Sequence, residues 1–303
     1  MNYIDIKGAR VPALGLGTWQ LSGRGCFEAV RQALDLGYRH IDTAQMYGNE
    51  TEVGWAIRES GVARDLIFLT TKLAPGNLAA AAAKRSTEES LRRLATDHVD
   101  LLLIHWPTGE APLGETLGAL AALRKAGKTR FIGVSNFNVA LLQEAAETHG
   151  ADLLCNQVEY HPYLSQRAVL AAVRRHGVML TAYSPLARGR VQRDAALTAI
   201  GHVYGKSPAQ VALRWLLDQD GVAAIPKATS RAHLAANLAV FDFRAERAGP
   251  HRDRRAPRRL PRRRSRRLGA RLGRGVRLCG LQAVHDVHTR ATAKAVAGQG
   301  GGS

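Results

Sequence analysis

The amino-acid sequence predicts an α/β protein: a closed (β/α)8 barrel (TIM barrel) with an N-terminal β-hairpin and a disordered basic tail. Short apolar segments alternate with amphipathic helical segments, which indicates parallel strands joined by helices. Eight such units in about 240 residues favour closure into a barrel. The competing open sheet would need Gly-x-Gly-x-x-Gly after its first strand, but Gly15-x-Gly17 is followed by Thr18, Trp19 and Gln20.

The predicted elements follow in order along the chain. Two short apolar segments around Lys7-Gly8-Ala9-Arg10 predict the hairpin, because Gly8 suits a turn. Gly37 marks the end of the first helix. The predicted barrel strands span residues 14–16, 40–41, 67–71, 101–104, 131–134, 153–158, 179–182 and 223–226. The predicted helices include residues 27–36, 52–59, 87–94, 115–125, 140–148, 167–175 and 208–217.

The net charge of +18 is concentrated in the C-terminal part of the chain. Residues 1–243 carry 26 Lys and Arg against 22 Asp and Glu, whereas residues 244–303 carry 17 against 3. The later segment has no aromatic residue and no apolar periodicity, so it cannot bury enough surface to offset the entropy of ordering. We therefore expect a barrel over residues 1–243 and an Arg-rich disordered tail over 244–303.

Two hypotheses account for this tail. The abrupt change after Phe243 to Arg-, Pro-, Gly- and Ala-rich sequence is typical of a shifted reading frame in GC-rich coding sequence. Alternatively, the tail is a genuine arm that binds nucleic acid or acidic surfaces, because arginine favours phosphate. The tail has no interleaved aromatic residues for base stacking, so such binding would be non-specific and would weaken steeply with salt.

Cysteine content and hydropathy predict a soluble, reduced, cytoplasmic protein without a membrane partner. The three cysteines, Cys26, Cys155 and Cys279, show neither metal-binding spacing nor a disulfide framework. The first residues lack the basic and then apolar pattern of a signal peptide. No apolar segment approaches the ~20 residues that a membrane helix needs.

Three consecutive predicted strands end in titratable side chains. Asp42 and Tyr47 follow one strand, Lys72 follows the next, and His105 follows the third. Residues at the C-terminal ends of neighbouring parallel strands, about 4.8 Å apart, can share one site, and (β/α)8 barrels carry their active sites at this rim. Taken singly, an Asp–Lys pair is often structural and such a histidine is often a core residue. Their coincidence at three successive strand ends predicts a catalytic site.

The same residues lie within longer motifs that resemble the aldo-keto reductase family. Residues 37–44 (Gly-Tyr-Arg-His-Ile-Asp-Thr-Ala), followed by Glu50 and Gly54, resemble the first signature of the family. Residues 130–137 (Arg-Phe-Ile-Gly-Val-Ser-Asn-Phe) resemble the second, and residues 225–227 (Ile-Pro-Lys) keep part of the third. Within the family the resemblance is strongest to bacterial 2,5-diketo-D-gluconate reductases of the B type.

The resemblance, which extends from about residue 3 to residue 243, implies a role for each of the four residues. Tyr47 would protonate a substrate carbonyl as hydride arrives from a nicotinamide cofactor. A free phenol has a pKa of about 10. Lys72 would lower the pKa of Tyr47, and Asp42 would hold and balance the lysine. His105 would orient the carbonyl and share the proton path.

The resemblance also implies an NADP(H) site. Ser135, Asn136 and Gln157, at the ends of later strands, would hold the nicotinamide carboxamide. Tyr183 would stack on the nicotinamide ring, and Ser184 and Leu186 would lie near the pyrophosphate. Residues from Lys227 to Arg231 precede a helix that begins near Ala232, and backbone amides at a helix start suit a phosphate.

Two positions depart from the family pattern in the phosphate region. The serine that usually follows the lysine is Ala228, and the arginine expected at the 2′-phosphate falls on His233. Histidine cannot reproduce the bidentate fork of arginine. Arg231 is the candidate replacement, and Asn237 keeps its place beside the adenine. We expect NADPH to remain the cofactor, with a weakened preference over NADH.

Four residues, Trp19, Tyr47, His105 and Trp106, are expected to line the substrate pocket. The family's C-terminal loop, which usually supplies the remaining wall, is not recognisable here. We expect a monomeric, NADPH-dependent reductase of aldehydes, small dicarbonyls or keto sugars, such as methylglyoxal or 2,5-diketo-D-gluconate. The alternative is a barrel that binds cofactor but turns over poorly, with a tail that binds nucleic acid or acidic surfaces.

Overall fold

The computed structural model describes residues 2–243, which include almost all of the predicted barrel. The predicted basic tail, residues 244–303, lies outside the described residues, and so does the expectation that it is disordered. Within the described part of the chain, no helix is long and apolar enough to cross a membrane.

The N-terminal hairpin forms as predicted and closes one end of the barrel. Strands β1 (Tyr3–Ile6) and β2 (Ala9–Pro12) pair antiparallel. Lys7 and Gly8 make the turn with φ angles of 48° and 76°, the left-handed conformation that two-residue hairpin turns require. Apolar side chains of the hairpin share one cluster with Met179, the first residue of a barrel strand. The hairpin thus covers the N-terminal ends of the strands and leaves their C-terminal ends open to ligands.

The predicted barrel of eight parallel strands is confirmed. Strand order in the sheet follows the chain, so each strand pairs with the next. The strands are β3 (Leu16–Gly17), β4 (His40–Asp42), β5 (Phe68–Leu73), β6 (Val99–Ile104), β7 (Thr129–Ser135), β8 (Leu153–Glu159), β9 (Met179–Tyr183) and β10 (Val222–Ala224). The barrel closes where Leu14 bridges Ala224 and where the Gly17 N–H donates to the Pro226 carbonyl at 3.2 Å. Glycine is needed there, because a Cβ on Gly17 would lie 2.6 Å from the Ile225 carbonyl oxygen.

A helix follows every barrel strand. The α-helices are α1 (Gly23–Asp35), α2 (Glu50–Glu59), α3 (Ala80–Arg93), α4 (Leu113–Lys125), α5 (Val139–Gln143), α6 (Arg167–Arg175), α7 (Ala195–Tyr204), α8 (Pro208–Leu217) and α9 (Arg231–Leu238). Helix α3 begins seven residues before its predicted start because four alanines, strong helix formers, precede the charged segment. The predicted helix over 140–148 divides into α5 and a π-helical turn, Glu144–Thr148. The sequence pattern does not predict α7.

Strand β6 shows how the two layers of the barrel share the apolar side chains. All of its residues are buried, as is typical of a parallel strand covered on both faces. Leu101 and Leu103 belong to the apolar cluster that includes the hairpin, whereas Leu102 and Ile104 pack in the cluster that includes the surrounding helices. The alternation places one side chain inside the barrel and the next against the helices.

Helix α2 approaches the end of α3 very closely at Gly54, a residue of the first family-like motif. A Cβ added at Gly54 would lie 2.5 Å from the backbone carbonyl carbon and oxygen of Leu94, which ends α3. A backbone carbonyl cannot rotate away as a side chain can, so this contact excludes any larger residue. Gly118 in α4 provides a contrast, because a Cβ added there would meet nothing within 4 Å.

We predict that Gly54→Ala lowers the free energy of unfolding by about 1–3 kcal/mol, the usual cost of overpacking. Gly118→Ala is the matched control and should raise the free energy of unfolding by about 0.5–1 kcal/mol, because alanine costs less conformational entropy in a helix. Urea denaturation followed by circular dichroism measures both. Equal stability of the two variants would contradict the close approach of the helices.

Candidate active site

Four side chains meet at the C-terminal ends of three neighbouring strands. Asp42 is the last residue of β4, Lys72 lies near the end of β5, and His105 directly follows β6. Tyr47 is not on a strand: it ends a single 3-10 turn, Gln45–Tyr47, between β4 and α2. The structure therefore brings together the four residues that the strand-end pattern selects.

A buried ion pair between Lys72 and Asp42 forms the centre of the site. Lys72 Nζ lies 2.5 Å from Asp42 Oδ1, and both side chains are at most 1% exposed. Nζ also donates to the Thr43 carbonyl at 2.8 Å, and Gln157 Nε2 donates to the second Asp42 oxygen at 2.7 Å. Burial alone would lower the pKa of Lys72, but Asp42 and Tyr47 raise that pKa above its ordinary value. The amine therefore stays charged at neutral pH.

The Tyr47 phenol lies against this lysine. Lys72 Nζ donates to Tyr47 Oη at 3.3 Å and lies 4.8 Å from the centre of the ring. Burial raises the pKa of Tyr47, and Lys72 lowers it through its charge and its hydrogen bond. The contribution of Lys72 has the expected sign, but the net shift is upward because burial is the larger effect. The phenol therefore keeps its proton at neutral pH.

His105 lies beside Tyr47 as a neutral imidazole. The two rings meet edge to face, with centroids 5.6 Å apart. Burial, and to a lesser extent the charge of Lys72, lowers the pKa of His105 to about 3. Its Nδ1 atom is buried and has no hydrogen-bond partner among residues 2–243. A proton on Nε2 rather than Nδ1 avoids burying an unpaired N–H, so Nε2 is the nitrogen that can donate.

A hydrogen-bonded set extends from His105 along the ends of β7, β8 and β9. Asn136 Nδ2 donates to the His105 carbonyl at 2.9 Å, and the Tyr183 hydroxyl donates to Asn136 Oδ1 at 2.9 Å. Ser135 Oγ donates to the Gln157 carbonyl at 2.7 Å. Asn136 has a left-handed φ of 63°, a conformation that asparagine tolerates better than most residues. Hydrogen bonds thus join the four cofactor residues predicted at these strand ends, with Ser135 and Gln157 buried and Asn136 and Tyr183 partly exposed.

The loop after β9 carries Ser184 and Leu186. Ser184, Ala187 and Arg188 all have left-handed backbones, with φ of 46°, 48° and 52°. Such strain in non-glycine residues clusters at functional sites. The Arg188 guanidinium lies 5.6 Å from the centre of the Trp19 ring, so the loop reaches the segment that follows β3.

The segment between β10 and α9 carries the predicted phosphate-binding residues. Lys227 is exposed, and its Nζ contacts Gln20 Oε1 at 3.2 Å. Ser230 caps α9 by accepting the backbone N–H of His233 at 3.2 Å, and His233 itself is exposed. The first turn of α9 contains no acidic residue, so nothing in that turn opposes an anion at its amides.

Two residues of this region are engaged with other parts of the protein. Arg231 forms an ion pair with Asp35 of α1 at 2.5 Å, so its guanidinium is not free. Asn237 is only 5% exposed, and its side chain lies at the Tyr38 hydroxyl. The structure thus places both residues on α9, with the Asn237 side chain buried and the Arg231 side chain exposed but paired with Asp35.

Two large aromatic side chains border the open end of the barrel. Trp19 follows β3 and Trp106 follows His105, and each is 43% exposed. The rings of His105 and Trp106 stack with centroids 6.4 Å apart. The wall that the family's C-terminal loop would supply lies outside the described residues.

The structure shows contacts around the site that the sequence patterns do not indicate. Gln157, a predicted cofactor residue, donates its amide N–H to Asp42, a residue 115 positions away. Asn49 is fully buried and donates to the carbonyls of Thr18 and Leu21 at 2.9 and 2.8 Å. No local pattern relates residues so far apart in the chain, so periodicity and spacing could not reveal these contacts.

A model of the Aldo/keto reductase family matches residues 13–248 of this chain. The methylglyoxal reductase DkgB of Escherichia coli O157:H7 is 43% identical over 231 residues, which are 75% of this chain and 86% of that protein. The glyoxal reductase of Bacillus subtilis (strain 168) is 40% identical over 262 residues, 82% of this chain and 94% of that protein.

Solved structures show the same similarity. The crystal structure of a "putative 2,5-diketo-D-gluconic acid reductase B" is 51% identical with a TM-score of 0.79, covering 80% of this chain and 87% of that one. An aldo/keto reductase from Brucella melitensis is 40% identical with a TM-score of 0.76, covering 80% of this chain and 92% of that one. With the family model matched across the barrel, the chain belongs to the aldo-keto reductase family.

Proposed function

We propose that this protein catalyses the NADPH-dependent reduction of aldehydes, small dicarbonyls or keto sugars to alcohols, with Tyr47 as the general acid. Membership of the family supports an oxidoreductase that reduces carbonyl groups. The observation that carries the proposal is the placement of Lys72 between Asp42 and the Tyr47 hydroxyl at the open end of the barrel. This arrangement supplies a proton beside a fixed positive charge.

The Tyr47 phenol is stabilised before the reaction, and the Tyr47 phenolate is stabilised after the proton has been transferred. Tyr47 is protonated at rest, since burial raises the pKa of its phenol. When the proton moves to a substrate oxygen, the phenolate that remains lies 3.3 Å from the charged Lys72 amine. Asp42 keeps that amine oriented and charged. The charge that develops on Tyr47 is therefore met by a preorganised cation, the largest usual source of catalytic stabilisation.

Neutral His105 acts as a second donor in this proposal. With its proton on Nε2, the imidazole can hydrogen-bond a carbonyl oxygen placed beside the Tyr47 ring. Its lowered pKa keeps it uncharged, so it does not compete with Lys72 for the developing negative charge. His105 would therefore orient the carbonyl while Tyr47 delivers the proton.

The residues near the four side chains of the candidate active site fit a nicotinamide cofactor, which supplies hydride when bound. Asn136 and Tyr183 are half-buried and carry an amide and a hydroxyl group that suit a carboxamide, and buried Ser135 supports Asn136 through a hydrogen bond. The Tyr183 ring is the candidate stacking surface, and Ser184 and Leu186 on the same loop are the candidate pyrophosphate contacts. At the other end, Lys227 and the amides of α9 suit a phosphate, which favours NADPH.

The aromatic rim of the site and the names of the relatives support the choice of substrate class. Trp19 and Trp106 offer flat apolar surfaces there, and each is 43% exposed. Relatives named as methylglyoxal, glyoxal and 2,5-diketo-D-gluconic acid reductases all carry small or sugar-derived dicarbonyls in their names. We therefore assign small dicarbonyls, with methylglyoxal as the test substrate.

We also propose that the barrel, residues 1–243, is the functional unit and acts as a cytoplasmic monomer. The barrel closes on itself within this range, and every barrel strand has its helix. Cys26 and Cys155 are free and buried, which suits a reducing compartment.

Tyr47→Phe should lower kcat for methylglyoxal reduction by about 10²–10⁴-fold, the usual worth of a general acid, because only the transferable proton is removed. The Kd for NADPH should stay within about twofold, since the ring is retained. The loss of NADPH absorbance measures kcat, and the quenching of tryptophan fluorescence measures the Kd for NADPH. Tyr3→Phe, in the hairpin at the opposite end of the barrel, is the control and should leave both unchanged.

Full turnover by Tyr47→Phe would contradict the assignment of the general acid. Tight NADPH binding without turnover by the unaltered protein would instead favour the alternative, a barrel that binds cofactor but is catalytically impaired.

Asp35→Asn should tighten NADPH binding by about two- to fivefold, because it releases Arg231 from an exposed ion pair and frees a cation for the 2′-phosphate. NADH lacks that phosphate, so its Kd should not change. Fluorescence titration of both cofactors at low and high salt measures the effect, which salt should diminish. Asp5→Asn on the hairpin is the control. Equal changes for the two cofactors would contradict a phosphate role for Arg231.

A further inference from the structure

The position of the Tyr47 hydroxyl depends on how one short turn is held. Lys72 is fixed within β5 and is fully buried. Tyr47 instead ends a single 3-10 turn in which no residue is fully buried, and the left-handed Gly48 follows it. The hydrogen bond between them, at 3.3 Å, is already longer than the usual range for such bonds. A small outward movement of the turn would break it.

Gln45, the first residue of this turn, holds it against the end of β5. Its Oε1 accepts the backbone N–H of Ala74 at 2.8 Å and Nδ2 of Asn77 at 2.9 Å. Its Nε2 donates to Ser90 Oγ on α3 at 3.1 Å. Three of the four hydrogen bonds that a glutamine amide can make are therefore formed. Ala74 lies two residues beyond Lys72, so Gln45 ties the turn of Tyr47 to the strand of its partner.

Further hydrogen bonds connect Ser90, the α3 partner of Gln45, to the residue that precedes Lys72. Ser90 Oγ also accepts from Arg93 Nη2 at 3.2 Å, and Arg93 Nε donates to the Glu50 carboxylate at 2.8 Å. Glu50 in turn accepts from the Thr71 hydroxyl at 2.6 Å. Thr71 precedes Lys72, and Glu50 begins the helix after the turn. One polar chain thus connects both ends of the Tyr47 turn to the strand that carries Lys72.

We propose that Gln45 is a positioning residue for catalysis, which holds the Tyr47 hydroxyl at the Lys72 amine. The inference rests on the proposed function, in which Tyr47 delivers the proton. The Gln45 side chain does not hydrogen-bond to the Tyr47 hydroxyl or to the Lys72 amine. It therefore acts on Tyr47 only by holding the turn. Its effect should therefore fall on the proton-transfer step and disappear when Tyr47 has no hydroxyl.

Gln45→Met removes all three hydrogen bonds while keeping a side chain of similar length. We expect kcat for methylglyoxal to fall about tenfold to a hundredfold, because displacements of about 1 Å cost this much in a preorganised site. The Kd for NADPH should stay within about twofold. Gln45→Glu keeps the acceptors for Ala74 and Asn77 and can accept from the Ser90 hydroxyl, so it should restore most of kcat. Gln32→Met on α1 is the matched control and should behave as the unaltered protein.

A double-mutant cycle with Tyr47→Phe separates positioning from general stability. In the Tyr47→Phe background, Gln45→Met should cause no further loss of the residual rate, because the group that it positions is gone. Unchanged kcat in Gln45→Met would overturn the proposal. So would a loss of the same size in both backgrounds, or a loss accompanied by equal weakening of NADPH binding.

The crystal structure of Gln45→Met decides the inference even if the proposed function fails and the unaltered protein reduces no carbonyl. The proposal expects Tyr47 Oη to move beyond about 3.5 Å from Lys72 Nζ, outside hydrogen-bond range. A turn that keeps the unaltered distance would overturn it, whatever the activity.

Discussion

The buried ion pair between Lys72 and Asp42 is the interaction on which the rest of the site depends. Removing an ammonium and a carboxylate from water is costly, and removing one partner of such a pair typically costs about 3–5 kcal/mol. Well-placed hydrogen bonds to the two charged groups must therefore offset this cost. Here the Thr43 carbonyl, the Gln157 amide and the Tyr47 hydroxyl complete the hydrogen bonds of the two charges. Both charges of the pair are therefore held in place by hydrogen bonds to neighbouring groups.

The barrel explains why this charge can serve a reaction rather than remain a structural feature. The hairpin closes the N-terminal end, so ligands must approach from the ends of the strands where the pair lies. The ends of strands β7 to β9 add a hydrogen-bonded set of polar residues beside it, and two half-exposed tryptophans border this end of the barrel. Of the four candidate catalytic residues, Tyr47 is the one carried by a 3-10 turn, and the Gln45 side chain ties this turn to Ala74.

Much of this architecture could be predicted from the sequence, because the chemistry follows the strand ends. Parallel strands must bring Asp42, Lys72 and His105 to one edge, and an apolar run followed by a polar residue marks each strand end. Contacts between residues far apart in the chain have no such signal in the sequence. The Gln157–Asp42 hydrogen bond and the Arg231–Asp35 ion pair join residues 115 and 196 positions apart. The net pKa shift of Tyr47 also required knowledge of its burial, which spacing cannot supply.

The most direct test of the account is a double-mutant cycle on the ion pair itself, with Asp42→Asn and Lys72→Met measured singly and together for methylglyoxal turnover in folded protein. The account predicts strong non-additivity: the double variant should be about as active as Lys72→Met alone, because Asp42 acts by holding the lysine. Independent effects that multiply in the double variant would show that Asp42 contributes by another route, and would contradict the central role of the pair.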